Sequence, residues 1–277
     1  MVIQNAFNSD ITDAQFEEVS AMTKSLAGIN LHVGKKELVR ARLAKRIRLL
    51  KLRSVTEYLE YMKNDPTGQE LVLMLDALST NLTYFFREQQ HFDYLHEKVI
   101  PAIKSSGHRK IRIWSAGCSS GEEPYTIAMQ LHESIPDLAG WDIKILATDL
   151  STKVLSMAKR GLYSEKCFRD TPKHIKLKYF DKVQSGNEVL FGAGSSIRKM
   201  ITFARLNLMG QWPMSGPFDV IFCRNVMIYF ENDTRERLIN RFYDLIGAGG
   251  YLFMGHSESL AGINHSFKYR LPAIYSR

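Results

Sequence analysis

A chain of 277 residues holds enough material for one large domain or two smaller ones around a packed core. Its 45% hydrophobic and 24% charged content is ordinary for a globular protein, and no run reaches the roughly 18 apolar residues of a membrane span. The opening MVIQNAFNSD lacks the basic start and apolar run of a signal peptide, so a cytoplasmic protein is expected, and a net charge of +8 points to an acidic partner. Cys118, Cys167 and Cys223 are scattered with no C-x-x-C spacing, which argues against disulfides and zinc.

The first third of the chain has helical period. Thr12 or Asp13 caps a predicted helix with Phe16, Val19, Met22 and Leu26 on one face, and Gly28 ends it. A second helix is predicted from about Lys36 to Leu52 with Leu38, Leu43, Ile47 and Leu50 inward. A third covers Val55 to Lys63, stopping before Asn64-Asp65-Pro66, and a fourth runs from Gly68 to about Thr80. After Gly107 strands and helices alternate. KIRIWSAG (from Lys110) and DIKILATD (Asp142 to Asp149) read as strands, followed by helices from Glu122 to about Ile135 and from Ser151 to Lys159. ITFARLNL, FDVIFCRN and GGYLFMG read as further strands, with a helix from about Asp233 to Ile246 between the last two. The pattern predicts a parallel sheet covered on both faces. FKYRLPAIYSR suits an antiparallel edge strand bent at Pro272. The polar stretch from about Ser164 to Lys199 breaks the alternation and reads as a small antiparallel subdomain, a long mobile loop being the alternative.

In open α/β sheets, ligands bind beyond the carboxyl ends of the strands. The first strand ends in Ser115-Ala116-Gly117-Cys118-Ser119-Ser120-Gly121, then Glu122-Glu123-Pro124. Small residues admit a close ligand, but two carboxylates at the helix start disfavour a pyrophosphate. S-adenosylmethionine, with its ammonium and sulfonium, fits better. Asp149 is placed to accept both ribose hydroxyls, or simply to cap the next helix. Asn207, beside Leu208, offers the donor and acceptor that an adenine edge requires, or serves as a turn residue. Arg224, Asn225 and Tyr229 sit in an otherwise apolar run, Phe222 to Phe230; a buried structural Arg and a core Tyr are the plainer alternative.

Four runs in one order, TNLT and FFRE (from Thr80 to Glu88), WSAGCSSGEEPY (from Trp114), FCRNVMIYF (from Phe222) and GHSES (from Gly255), resemble the CheR family of chemotaxis-receptor glutamate methyltransferases. The resemblance spans nearly the whole chain. It implies an all-α N-terminal domain (1–82), a linker closing over the cofactor (83–107) and a Rossmann-like α/β methyltransferase domain (108–277) with an inserted three-stranded β-subdomain (164–200). It implies cofactor contacts for Asn81, Thr83, Arg87, Ala116, Glu122, Asp149, Asn207, Leu208, Arg224 and Asn225. Glu122 matches the ligand of the amino group, and Arg87 lies near the carboxylate end. Arg87 and Tyr229 are the implied catalytic pair, Tyr229 lying near the transferred methyl. The implied product is S-adenosylhomocysteine, and the implied substrate is the cytoplasmic helical domain of receptors in membrane arrays. Enterobacterial members grip a receptor C-terminal pentapeptide on the β-subdomain. Here VQSGNEVLFGAGSS places its glycines differently, so that tether stays open.

Nine basic residues against the single acid Glu37 crowd Lys35 to Arg53. Arg42, Arg46 and Arg48 are expected to form a docking face for acidic receptor helices, a solvated face being the alternative. A nucleic-acid methyltransferase would share the basic helix. However, the fourth strand lacks an Asn/Asp-Pro-Pro-aromatic run, and no aromatics interleave the basic helix for base stacking. No nucleic-acid partner is therefore expected. A non-catalytic binding module is disfavoured by the intact cofactor positions. His91, His96 and His256 show no metal-ligand spacing with acids or cysteines, and no metal is expected.

Overall fold

A computed structural model describes residues 10–79 and 81–277, so the expected end of the fourth helix at Thr80 lies outside the described residues. The described residues form two compact units. One comprises residues up to 79 together with Tyr229–Glu231; the other comprises Asn81–Ile228 and Asn232–Arg277.

The first unit is all helical. α1 spans Asp13–Ala27. Thr12 accepts the Gln15 N–H at 3.2 Å while the Gln15 side chain accepts the Thr12 N–H at 3.0 Å, a reciprocal capping box. Gly28, at φ 73°, ends the helix in the left-handed conformation. α2 (Lys36–Leu49), α3 (Val55–Lys63) and α4 (Gln69–Leu78) follow. Phe16, Val19, Val39, Leu43, Ile47, Tyr58 and Met74 make the core. Leu43 and Ile47 face inward on α2 as expected, Leu50 is half-buried, and Val39 rather than Leu38 completes the buried face.

The partners around α2 decide the fate of the basic residues. Arg46 binds Glu70 bidentately, its Nε and Nη2 donating at 3.0 and 2.5 Å, and the Tyr58 hydroxyl donates to the same carboxylate at 2.8 Å. Glu70 is buried. Burial and the adjacent carboxylate push the Tyr58 hydroxyl far above its ordinary pKa, and the hydrogen bond to Glu70 strengthens the Arg46 charge. Arg42 donates to the carbonyls of Leu78 (2.5 Å) and Ser79 (2.7 Å), closing the carboxyl end of α4. Two of the three expected docking residues thus hold the helical unit together. Arg48 is exposed, with its Nε donating to the Ala44 carbonyl at 3.2 Å.

The second unit begins with coil and turns over Asn81–Glu88, and most of the segment expected as a linker is helical. α5 (Gln89–Tyr94) passes through a π turn (Leu95–Val99) into α6 (Ile100–Ser105). Phe85, Phe86, Phe92, Leu95, Val99 and Ile100 are buried in the same core as the central sheet. The segment 83–107 is therefore part of the α/β body. β1 (Lys110–Ala116), α7 (Glu122–Ser134), β2 (Asp142–Asp149) and α8 (Thr152–Arg160) follow. The insertion holds β3 (Leu162–Ser164), α9 (Lys173–Tyr179), β4 (Phe180–Ser185) and β5 (Glu188–Ala193), and its sheet has the antiparallel order β3-β5-β4. After α10 (Ser195–Arg198) come β6 (Ile201–Arg205), β7 (Phe218–Cys223), α11 (Asn232–Leu245), β8 (Ile246–Met254), β9 (Lys268–Leu271) and β10 (Ile274–Ser276).

The main sheet has the order β6-β2-β1-β7-β8-β10-β9. β6, β2, β1, β7 and β8 are parallel, so strand order reverses between β1 and β7. The expected single C-terminal strand is a hairpin. Pro272-Ala273, with Ala273 at φ 62°, turns β9 back on β10, which pairs antiparallel with β8. Among the described residues no helix is long and apolar enough to cross a membrane.

Replacing Arg46 by Ala leaves the Glu70 carboxylate buried without its cation. Such a loss costs about 3 kcal/mol. Urea denaturation of Arg46→Ala is expected to show a loss of that size, whereas Arg48→Ala should leave the midpoint nearly unchanged.

Candidate functional site

The carboxyl ends of β1, β2 and β7 meet where the strand order reverses. The turn after β1 depends on its glycines. At Gly117 (φ +86°) a Cβ would strike the Val226 side chain; at Gly121 (φ +99°) it would lie 2.8 Å from Ala158 Cβ and the Tyr163 hydroxyl. Asp149 braces this turn, its Oδ2 accepting the Ser119 N–H at 2.8 Å and its Oδ1 the Ser151 N–H at 2.9 Å. Ser151, not Asp149, is the side-chain cap of α8. Asp149 stays half-exposed at the end of β2.

Glu122 opens α7 and is 3% exposed. The Ser120 hydroxyl donates to it at 2.7 Å. Burial raises its pKa, against the Ser120 hydroxyl, its own N–H and the Cys167 thiol, which hold it down. No basic side chain is among these causes, which leaves the carboxylate able to take a cationic ligand group. The charge excludes a phosphate and fits the ammonium of S-adenosylmethionine.

Arg224, expected at the adenosine, is instead 6% exposed and committed within the protein. Its Nη1 donates to Glu123 (3.0 Å), its Nη2 to Glu88 (2.9 Å) and to the Arg87 carbonyl, and its Nε to Glu88 (3.3 Å). Glu123 also accepts the Ser115 hydroxyl at 2.7 Å. The two carboxylates respond oppositely. Burial raises Glu123 despite Arg224; at Glu88 burial also opposes, but the Arg224 charge with its hydrogen bonds and those of Asn225 and His256 holds the carboxyl down. Glu88 further accepts the Asn225 amide (3.2 Å) and the His256 N–H (3.3 Å).

The histidines correct the sequence reading. Glu88, His91 and His256 bring ligand atoms within 4.8 Å of one another, although His256 is remote in sequence. The Arg224 guanidinium occupies the same Glu88 oxygen, which is the wrong charge beside a metal ion. Burial, then the Arg224 charge, pushes His91 down to about 3, so the ring is neutral.

The remaining expected residues have the following settings. Ala116 is buried at the end of β1, and Thr83 is half-buried. The Asn81 carbonyl accepts the Ser119 hydroxyl at 3.0 Å, and Arg87 Nη1 donates to the Leu82 carbonyl at 2.6 Å. Asn207 makes a turn, its Oδ1 accepting the Met209 N–H at 3.0 Å. Tyr229 groups with the helical unit, where its carbonyl accepts the Asn30 N–H at 2.8 Å and the Lys35 ammonium lies 5.1 Å from its ring centre. Sequence reasoning missed three residues. Glu88 and Glu123 were signalled by Arg224, since an Arg in an apolar run needs buried acids. Arg241 donates to the Leu208 (2.8 Å) and Gly210 (2.7 Å) carbonyls and stacks on Trp212, and nothing in its helical pattern marks it.

Backbone strain is concentrated at this site. Among the described residues, six non-glycine residues have positive φ; Phe86, Glu88, Ser119 and Asn225 are four of them, and all lie in the loops around the strand ends.

A doubly covered sheet with a glycine turn, a buried glutamate and an acid at successive strand ends defines an S-adenosylmethionine-dependent methyltransferase. The chain belongs to the CheR methyltransferase family. Residues 81–273 match the family model described as the CheR methyltransferase SAM binding domain, and residues 14–79 match that of the all-alpha domain. A chemotaxis protein methyltransferase of Borreliella burgdorferi is 42% identical over 99% of this chain and 98% of its own length. That of Escherichia coli is 36% identical over 100% and 95%. S-adenosylmethionine is the cofactor.

Burial raises the Glu122 carboxyl, and it is the ionised form that would hold an ammonium. With Glu122 in that role, affinity for S-adenosylhomocysteine is expected to be full above the raised pKa and to fall as pH drops through it, which calorimetry over a descending pH series should record. Glu122→Gln is expected to lower affinity about 10- to 100-fold at pH 7, as loss of a charge-assisted hydrogen bond implies, and to flatten the pH dependence.

Proposed function

We propose that this enzyme transfers the methyl group of S-adenosylmethionine to glutamate side chains of chemotaxis receptors, forming 5-O-methyl esters in sensory adaptation. The observation that carries this reading is the match to chemotaxis protein methyltransferases through both the SAM-binding and the all-α parts of the chain. Bound cofactor supplies an electrophilic methyl on a sulfonium. A glutamate carboxylate, with a pKa of about 4.3 in model peptides, is already ionised at neutral pH, so the enzyme needs no strong base. The chain must align the oxygen with the methyl and keep water from solvating it.

In this reading Glu122 takes the amino group, and Arg87 with Asn81 and Thr83 borders the carboxylate end. Ala116 lines the turn, Asp149 binds the ribose, and Asn207, Leu208 and Asn225 frame the adenosine. Arg224 serves the cofactor indirectly, by fixing the loop that holds Arg87. Tyr229 orients the substrate carboxylate. Pairing that is too tight would stabilise the ground state, and a single hydroxyl contact is weaker than an ion pair.

The acidic helical substrate docks on the exposed basic residues of α2, Lys45 and Arg48, rather than on the committed Arg42 and Arg46. A receptor C-terminal peptide would add to β4, the outer strand of the small sheet opposite β3.

Labelled cofactor incubated with receptor-bearing membranes should leave base-labile label on protein; label that survives base, or appears on nucleic acid instead, would overturn the reading. Tyr229→Phe is expected to lower kcat about tenfold, the worth of one positioned hydrogen bond. The double variant Lys45→Glu/Arg48→Glu should raise the KM for receptor roughly tenfold at low salt, and less at high salt, where the Debye length shrinks from about 8 Å. Its affinity for S-adenosylhomocysteine should be unchanged.

A further inference from the structure

The run GHSES, from Gly255 to Ser259, has no part in the roles assigned above. It follows β8 and turns back on the segment that leaves β7. The Glu258 carboxylate is 5% exposed and accepts four backbone N–H groups. Its Oε1 takes those of Met227 (2.7 Å) and Ile228 (3.2 Å); its Oε2 takes those of Asn225 (2.9 Å) and Gly255 (2.6 Å). Three of the four belong to residues 225–228. Asn225 is at φ 59°, so the strand cannot continue, and the N–H groups that follow have left the sheet ladder. A buried N–H without a partner costs about 1–3 kcal/mol. Glu258 supplies the missing acceptors for a whole turn with one side chain.

Gly255 gives a second, independent observation. A Cβ there would lie 2.8 Å from both the Asn225 nitrogen and Glu258 Oε2. The glycine permits the close approach and the glutamate uses it. Burial raises the Glu258 carboxyl while the four N–H groups hold it down.

We propose that Glu258 is a positioning residue for methyl transfer, holding the backbone of 225–228 in the conformation that presents Asn225 to the cofactor and leads into Tyr229. The inference rests on the reading of the site given under Proposed function. Glu258→Gln separates it from simple stability. The side chain keeps its shape, but one oxygen becomes an NH2, so one pair of N–H groups must face a donor.

In the full chain, amide exchange at 225–228 is expected to quicken about tenfold or more while β1 is unaffected. S-adenosylhomocysteine should still bind one per chain. The kcat on receptor membranes should fall about tenfold or more, the scale on which small misplacements act, with the KM for receptor within about threefold of wild type. Glu258→Asp, too short to serve both pairs, should be intermediate. Ser257→Ala, exposed in the same turn, should behave as wild type. If Glu258→Gln does not fold, Gly255→Ala should give the same pattern. Wild-type kcat in folded Glu258→Gln would falsify the role, as would a loss of turnover that only follows a loss of binding stoichiometry. If the wild-type chain forms no glutamyl ester, it is the functional reading that fails; unchanged exchange and unchanged binding in the variant would then overturn the Glu258 role separately.

Discussion

Burying a guanidinium at the end of β7 obliges the fold to bring two carboxylates to it. Removing an Arg from water costs several kcal/mol, roughly, unless every donor finds an acceptor. Arg224 meets that demand with Glu123 from the start of α7, Glu88 from the loop before α5, and the Arg87 carbonyl. The acceptors come from two segments, the loop before α5 and the start of α7, so one side chain fixes both against the end of β7. Its ring neighbour Phe92, 5.3 Å away, stacks in turn on Phe222, and Phe222 on Phe253, which carries the arrangement down into the sheet.

That rigidity is what allows strained backbone to persist. Glu88 and Asn225 both have positive φ, and their side chains hydrogen-bond to each other. Ser119 is held from two sides, by Asp149 through its N–H and by the Asn81 carbonyl through its hydroxyl. Each such residue costs on the order of 1–3 kcal/mol, and over-determination by surrounding contacts sustains it. The polar shape of the pocket is therefore set before any ligand arrives.

The architecture was legible because its signals are local. Thr12, Gly28 and the alternation of apolar strands with amphipathic helices each act within a few residues, and those elements lie where the pattern puts them. The inserted antiparallel sheet was legible too. What pattern could not supply was the partner of a charged side chain. Arg46 and Arg48 look alike in a basic run; only the packing of α4 beside α2 brings the buried Glu70 to Arg46 and leaves Arg48 at the surface. Arg224 was noticed as unusual but not resolved as internal, because its acids lie 101 and 136 residues away in the chain. The helix before β1 was hidden by Pro101. Here the helix widens into a π turn just ahead of it and accommodates a residue with no N–H to give.

That helix changes what counts as a separable piece of this protein. Cut at 108, where the first strand pattern begins, a fragment would lose Phe85, Phe86, Phe92, Leu95, Val99 and Ile100 from the core they share with Ile113 and Phe222. It would also lose Glu88, leaving Arg224 with half its counter-charge. Such a fragment would have every strand of the sheet and still present a bare apolar face, prone to self-association. The α/β body therefore begins near Asn81, well ahead of its first strand.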